Sequence, residues 1–279
     1  MVIRSLLLVS FLAACGGGGG EDPVTPDSGP IPEGWQPLIT KAWSLAPHSE
    51  DTSDLEIVSI RSDVFVGGIR PIAPPGTHHT LLARGSVASP NIVYASGVGT
   101  NELVFPAGTG LKLESGELLA LQLHVFNPGE TPIEGTSGIE VLYVDPLTIQ
   151  NEADLLLAGP DELSIGAGSV TQTGTCTITQ QQTLFALFPH MHQLGTHLKT
   201  TITRAGVPMI IHDSAYSFDE QAFLELSPIV VEPGDKVTTE CTFVNTTGQV
   251  VEYGESSTSE MCYSILYRFP AVAGDFCSR

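Results

Sequence analysis

Two histidines two residues apart, His190 and His192, sit in the segment Phe185-Ala186-Leu187-Phe188-Pro189-His190-Met191-His192-Gln193-Leu194-Gly195. Its apolar residues and a threonine-rich continuation to Ile202 read as a β-strand, and on a strand residues two apart leave the same face. Two imidazoles on one face make half of a metal site. A thioether from elsewhere would complete a soft three-ligand set, and imidazole with thioether favours copper, Cu(I) in particular. The distant partner of the segment is Glu260-Met261-Cys262-Tyr263, which offers Met261. Taken alone, a methionine is a gap-filling core residue, so Met261 gains weight only from the histidines.

A second histidine group comes earlier. The rigid run Pro71-Ile72-Ala73-Pro74-Pro75-Gly76 delivers Thr77-His78-His79-Thr80-Leu81-Leu82. Adjacent residues on a regular strand point to opposite faces, so His78 and His79 can share one ion only across a local twist, which the Pro-Pro-Gly turn is placed to supply. His124 follows Gln122 on the same face of the strand Leu118–Asn127. The remaining histidines read as structural. His48 is in a polar loop, His197 lies beyond the turn at Gly195-Thr196, and His212 precedes Asp213. The order along the chain is therefore a three-histidine set, His78, His79 and His124, followed by a His-His-Met set, His190, His192 and Met261.

The elements that must position these side chains are strands. Glycine (29) and proline (20) are abundant and separate short valine-, isoleucine- and threonine-rich runs, the pattern of many strands joined by tight turns. Trp35 to Ile60, Val64–Ile69, Tyr94 to Phe105, Leu111–Leu113, Leu118–Asn127 and Ile139–Val144 form a first series. Thr175–Ile178, Leu184–His192, Leu198–Ile202, Met209–His212, Ile229–Val231, Lys236–Val244 and Met261–Phe269 form a second. Between the two series, Asn151 to Ile165 has the loose acidic character of an interdomain crossover. Long helical periodicity is absent. The expected fold is all-β: two antiparallel β-sandwich domains in tandem, jelly-roll-like, over residues 34–152 and 153–279.

The chain has 31 acidic and 11 basic residues, a formal net charge of −20. Such a surface repels nucleic acid and anionic lipid, so neither is an expected partner, and it concentrates cations. Met1 to Arg4 is a short positive start, and Ser5 to Ala14 is apolar but too short for a membrane-spanning helix. Leu12-Ala13-Ala14-Cys15 resembles the lipobox of bacterial lipoproteins, which implies a signal peptide over 1–14, lipidation at Cys15, and a Gly/Pro-rich tether over 15–33. The expected location is the bacterial cell envelope, at the outer membrane or periplasmic face, held by the lipid alone. Setting Cys15 aside leaves Cys176, Cys241, Cys262 and Cys277, an even number in an export context, so two disulfides are expected. Spacing does not choose among the three possible pairings.

With these motifs in place, the chain resembles the copper type II, ascorbate-dependent monooxygenases, the family of peptidylglycine α-hydroxylating monooxygenase and dopamine β-hydroxylase. Thr77-His78-His79-Thr80 is similar to its paired-histidine motif, Gln122-Leu123-His124 to its Gln-x-His strand, Pro189-His190-Met191-His192-Gln193-Leu194-Gly195 to its His-x-His motif, and Glu260-Met261-Cys262 to its Met-Cys motif. Tyr216–Gln221 and Glu232–Thr242 look like the strands that connect them. The resemblance implies two copper ions per chain. His78, His79 and His124 would hold one that stores and passes on an electron; His190, His192 and Met261 would hold one where oxygen and substrate meet. It also implies the disulfides Cys241–Cys262 and Cys176–Cys277.

The chain departs from the family pattern in that its first domain has no cysteine. Where the peptide-amidating enzymes carry an arginine, an asparagine and a tyrosine that line the pocket for a peptide carboxylate, this chain has Phe188, Tyr263 and Ile265. A glycine-extended peptide is therefore a poor fit, and a small aromatic or aliphatic molecule a better one. The expected activity is hydroxylation of a C–H bond of a small organic substrate by O2, with ascorbate or another one-electron reductant, by a monomer. The rival expectations are a non-catalytic copper-handling lipoprotein on the same scaffold and an adhesion sandwich with incidental histidines.

Overall fold

β-branched and aromatic residues fit the pleated, half-buried surface of a sheet, and the chain folds almost entirely as strands. The computed structural model describes residues 31–86, 89–254, 256, 258–272 and 276–277. The signal peptide and Cys15 lie outside the described residues. Among those described, the one helical segment is a 3-10 turn at Pro146–Thr148.

The first half runs through β1 (Trp35–Leu45), β2 (Ser49–Ser59), β3 (Val64–Ile72), β4 (Thr77–Ser86), β5 (Ser89–Ser96), β6 (Leu103–Val104), β7 (Thr109–Leu113), β8 (Leu118–Asn127), β9 (Ile133–Val144) and β10 (Asn151–Glu152). The second runs through β11 (Asp154–Ala158), β12 (Ser164–Ile165), β13 (Gly168–Thr177), β14 (Gln182–Met191), β15 (Gly195–Arg204), β16 (Val207–Ala215), β17 (Leu224–Val231), β18 (Lys236–Asn245), β19 (Val251–Glu252), β20 (Cys262–Phe269) and β21 (Phe276–Cys277). In the first half the sheets are ordered β1-β9-β3-β7-β10, with β6 on β3, and β2-β8-β4-β5. In the second they are β17-β14-β20-β11-β21 and β13-β18-β15-β16, with a small β12-β19 pair. Pairing is antiparallel except for the short β7/β10 and β11/β21 contacts. Among the described residues, no strand of one half pairs with a strand of the other.

Strand β8 shows how a sheet both closes a core and faces a site. Leu119, Leu121, Leu123 and Val125 point into the apolar interior and are buried. Alternation turns Gln122, His124 and Phe126 to the opposite face. One apolar cluster runs through both halves, joining Leu82, Tyr94 and Phe105 to Phe185, Phe188, Phe223, Ile265 and Tyr267. Phe105 packs edge-on against Phe185 at 5.3 Å between ring centroids, and the Tyr267 hydroxyl donates to the Val93 carbonyl at 3.1 Å.

Several local expectations are corrected. Asn151 to Ile165 is not a loose crossover: Asp154–Ala158 is a buried strand between β20 and β21. Its acidic flank reads as surface in the sequence, but Asp154 is taken up by Arg268. Tyr94 to Phe105 is broken after Ser96 by a turn around Val98 and Gly99, and pairing resumes only at Leu103. The His-x-His strand ends at Met191 and turns at His192–Gly195, where the Gly195 N–H donates to the His192 carbonyl at 3.1 Å. Tyr216–Gln221 is a loop joining β16 to β17, not a strand. Both disulfides are present as the resemblance implies: Cys176–Cys277 and Cys241–Cys262.

The Arg268 guanidinium, 2% exposed, is met by both Asp154 carboxylate oxygens at 2.5 and 3.2 Å and by Gln182 Oε1 at 3.1 Å. Removing one partner of such a pair strands a buried charge. Asp154→Ala is expected to destabilise the protein by about 3–5 kcal/mol in urea unfolding; a loss below about 1 kcal/mol, the range of an exposed pair, would contradict this.

Candidate metal centre

The first histidine group is assembled by a bulge. In the β4/β8 ladder Thr77 opposes Val125 and His79 opposes His124, leaving His78 as the extra residue. A bulge interrupts the alternation of faces, which lets two consecutive histidines serve one side. Gly76 precedes it with φ +102, and an added Cβ there would lie 2.6 Å from the Trp43 ring, so both backbone and space demand glycine. The His78 and His124 Nδ1 atoms are 3.4 Å apart and those of His79 and His124 3.3 Å. Ligand atoms of all three rings lie within 4.8 Å of one another. Nitrogens about 2.0 Å from a common ion would be about 3.3 Å apart at an angle near 110°, so the spacing fits three-nitrogen coordination. His124 Nε2 hydrogen-bonds the Glu50 carboxylate. That contact places the proton on Nε2 and turns the Nδ1 lone pair toward the other two rings.

The second group forms where β14 ends. The His190 and His192 ring centroids are 5.2 Å apart. His190 Nδ1–H donates to Gln221 Oε1 at 3.0 Å, and His192 Nδ1–H to the Ser259 carbonyl at 3.0 Å. Both bonds place the proton on Nδ1 and leave the lone pair on Nε2. Buried Glu260 holds the turn that carries His192: its carboxylate accepts from the His192 N–H at 2.9 Å and the Leu194 N–H at 2.6 Å. Glu260 is bonded to Met261, and Cys262 on the other side pairs with Met191 in the β14/β20 ladder and is disulfide-linked to Cys241. Met261 is thereby fixed to the histidine turn from both directions. The Tyr216 hydroxyl, which accepts from the Met191 N–H at 3.1 Å and donates to its carbonyl, braces the residue between the two histidines.

The two groups adjoin. The His79 ring centroid is 5.9 Å from that of His190 and 6.0 Å from that of His192. Phe218 packs against His78 at 4.6 Å, His79 at 5.3 Å and His192 at 6.2 Å. Beside them opens a cavity of about 200 Å³ that His79, His124, His190, His192 and Met261 all line, together with Leu81, Ile92, Ala95, Leu157, Tyr263 and Ile265. Phe188, read from the sequence as a pocket position, lies beneath His190 in the core, stacked at 6.2 Å, and does not line the cavity.

The rings are electrostatically prepared to stay neutral. Burial, reinforced by His124, brings His78 down to about 4. Burial and the neighbouring His190 hold His79 well below the usual imidazole range. Burial brings His190 to about 3 and also lowers His192. A metal ligand must be a neutral imidazole. Burial likewise pushes the Glu260 carboxyl up to about 7, against the backbone N–H groups of Leu194, His192 and Met261.

All six residues singled out in the sequence thus fall around one junction, while the other three histidines stay outside it. His48 contacts Glu130 at 3.1 Å and His197 contacts Asp213 at 3.1 Å, both on the surface; His212 lies near Asp213 and His197 on β16. Sequence reading gave no role to Glu50, Phe218, Gln221 or Glu260. Phe218, Gln221 and Glu260 fall inside segments that the resemblance covers, but a packing or hydrogen-bonding role at a distance leaves no spacing signal.

Comparison with known proteins locates the likeness. Residues 151–279 match the family described as copper type II ascorbate-dependent monooxygenase, C-terminal domain. DBH-like monooxygenase protein 1 of Mus musculus is 25% identical over 224 residues, covering 72% of this chain and 36% of that protein. Tyramine beta-hydroxylase of Caenorhabditis briggsae is 26% identical over 213 residues, covering 70% and 36%. The chain therefore spans little more than a third of the length of the curated relatives it matches.

Depressed imidazoles also set an acid limit on stability. An unfolded histidine takes a proton near pH 6.5, whereas His78, His79, His190 and His192 in the folded, metal-free protein resist it. Below about 6.5 the unfolded state binds more protons, so stability falls with pH toward about 4. Glu260 works in the opposite direction between about 4.3 and 7, but it is one group against four. Thermal unfolding of the metal-free protein is expected to shift to lower temperature between pH 7 and 5; a flat or rising midpoint would contradict neutral buried rings.

Proposed function

Because the chain belongs to the copper type II ascorbate-dependent monooxygenase family, we propose that it hydroxylates a C–H bond of a small organic molecule. One atom of O2 enters the product and the other leaves as water, with two electrons from ascorbate or another one-electron reductant and two protons. Copper, when bound, supplies the one-electron chemistry with oxygen. We assign His78, His79 and His124 to one ion, held through Nδ1, and His190, His192 and Met261 to the second, held through Nε2 and the thioether. The donor sets support this: three imidazoles on one side, and on the other an imidazole pair with a soft sulfur that favours Cu(I). The observation that carries the reading is the convergence of four imidazoles and Met261 on one cavity, with the fifth, His78, grouped beside His79 and His124.

The protein's own groups bind, orient and exclude. Leu81, Ile92, Ala95, Leu157 and Ile265 line the cavity beside Met261 and offer an apolar wall. A cavity of about 150 Å³ with such walls accepts benzene, so about 200 Å³ suits a single ring or a short chain. Among the described residues lining it there is no carboxylate, lysine or arginine. The relative named for tyramine acts on a cationic amine, and a buried ammonium requires a paired anion; the described lining residues supply none. We therefore propose an uncharged substrate, held by apolar contact with its reacting carbon near Met261.

We further propose the arrangement the sequence suggests: residues 34–152 carry the electron-storing copper and 153–279 the oxygen copper, in a monomer tethered through lipidated Cys15 to the bacterial cell envelope. The support for the tether is the lipobox-like Leu12-Ala13-Ala14-Cys15 alone.

Copper-loaded protein supplied with ascorbate and an uncharged alkylbenzene should consume O2 and form the benzylic alcohol, with tyramine and a glycine-extended peptide as poorer substrates. Met261→Ala should keep its fold and lose this activity by on the order of 100-fold or more. Full activity in that variant would overturn the assignment of Met261, and copper bound without oxygen consumption would favour a copper-handling protein instead.

A further inference from the structure

The loop from Tyr216 to Phe223 belongs to the second half of the chain but is fastened to the first. The Gln221 N–H donates to the Val98 carbonyl at 2.9 Å, and the Thr100 hydroxyl donates to the Gln221 carbonyl at 2.8 Å. Phe223 and Asn101 exchange two more hydrogen bonds, Phe223 N–H to Asn101 Oδ1 at 2.7 Å and Asn101 Nδ2 to the Phe223 carbonyl at 3.3 Å. The Gln221 side chain, with the residue 1% exposed, then reaches into the histidine junction.

Its carboxamide has one allowed orientation. The Phe218 carbonyl, which can only accept, lies 2.9 Å from one end, so that end is the amide nitrogen. Oε1 is therefore the atom 3.0 Å from His190 Nδ1. An oxygen there requires Nδ1 to carry the proton, which leaves the His190 lone pair on Nε2. The same amide nitrogen stands 3.4 Å from His79 Nε2, so one side chain touches an imidazole of each group. Gly97, just past the end of β5, makes the space: a Cβ added there would lie 2.6 Å from Gln221 Cδ and 2.7 Å from its Nε2.

We propose that Gln221 is a positioning residue through which the first half of the chain sets the orientation of His190 in the second, so that the His190/His192/Met261 site is complete only when the two halves are closed on each other. This rests on the reading that both histidine groups bind copper. Gln221 takes no part in the reaction; it fixes which nitrogen of His190 is offered and where that nitrogen points.

The test is Cu(I) competition against bicinchoninate on the full chain, with His124→Ala identifying the step that belongs to the first group. Gln221→Leu removes the acceptor at nearly constant volume and should weaken Cu(I) at the second site by roughly 10–100-fold while sparing the first. Gln221→Glu keeps an acceptor at His190 and should retain most of that affinity. Gly97→Ala, which touches no histidine and lies in the other half, should weaken the second site in the same direction as Gln221→Leu, and it carries the test should the leucine variant not fold. Equal affinities for the leucine and glutamate variants, or no effect of Gly97→Ala, would overturn the proposal. Wild-type protein that fails to bind two Cu(I) ions would instead refute the copper reading, and the proposal with it.

Discussion

A buried ring nitrogen without a hydrogen-bond partner costs about 1–3 kcal/mol, and this protein brings five imidazoles together at a largely buried junction. The junction is tolerable because spare N–H groups have fixed acceptors. Glu50 takes that of His124, Gln221 that of His190 and the Ser259 carbonyl that of His192. Each bond settles the tautomer and leaves a lone pair directed away from the acceptor. The same contacts thus offset the polar cost of burial and set the tautomers that a metal ion would need. Stripped of metal, the cluster is a group of inward lone pairs with few donors, an arrangement a cation stabilises.

The remaining architecture can be understood as the means of holding those rings. In the first half a bulge at His78 and the glycine before it gather two neighbouring residues onto one face. In the second half a strand stops at Met191, and a buried carboxylate ties the turn that follows to the segment carrying Met261. The Cys241–Cys262 disulfide closes the same segment from behind. Among the described residues no strand pairing joins the two sheet systems, so register between the groups depends on the shared apolar core, the Tyr267–Val93 hydrogen bond and the loop at 216–223. That dependence makes the spacing of the two histidine groups a property of the closed arrangement of the halves rather than of either half alone.

What could be read from the sequence follows a physical pattern. Strand periodicity located most strands, and ligand chemistry selected His78, His79, His124, His190, His192 and Met261, because residue type and short spacing carry that information. The two disulfide pairings came from the family resemblance, since spacing alone left three possibilities. Asp154–Ala158 was misread because a short apolar run with acidic neighbours resembles a linker until Arg268 is seen to occupy the carboxylate. The strand through His192 was overextended because threonine and leucine suit either side of a tight turn. Gln221 was invisible as a functional residue: its importance lies in contacts with His190, Phe218 and His79, at sequence separations of 31, 3 and 142, and no local pattern records them.

The account stands or falls on whether this junction holds two copper ions. Crystals of the copper-loaded protein, measured with anomalous scattering at the copper edge, address it directly. Two peaks per chain are expected, one among the Nδ1 atoms of His78, His79 and His124, the other against Nε2 of His190 and His192 and the Met261 sulfur. No copper peak at the junction, or a second peak with the Met261 sulfur turned away from it, would contradict the account.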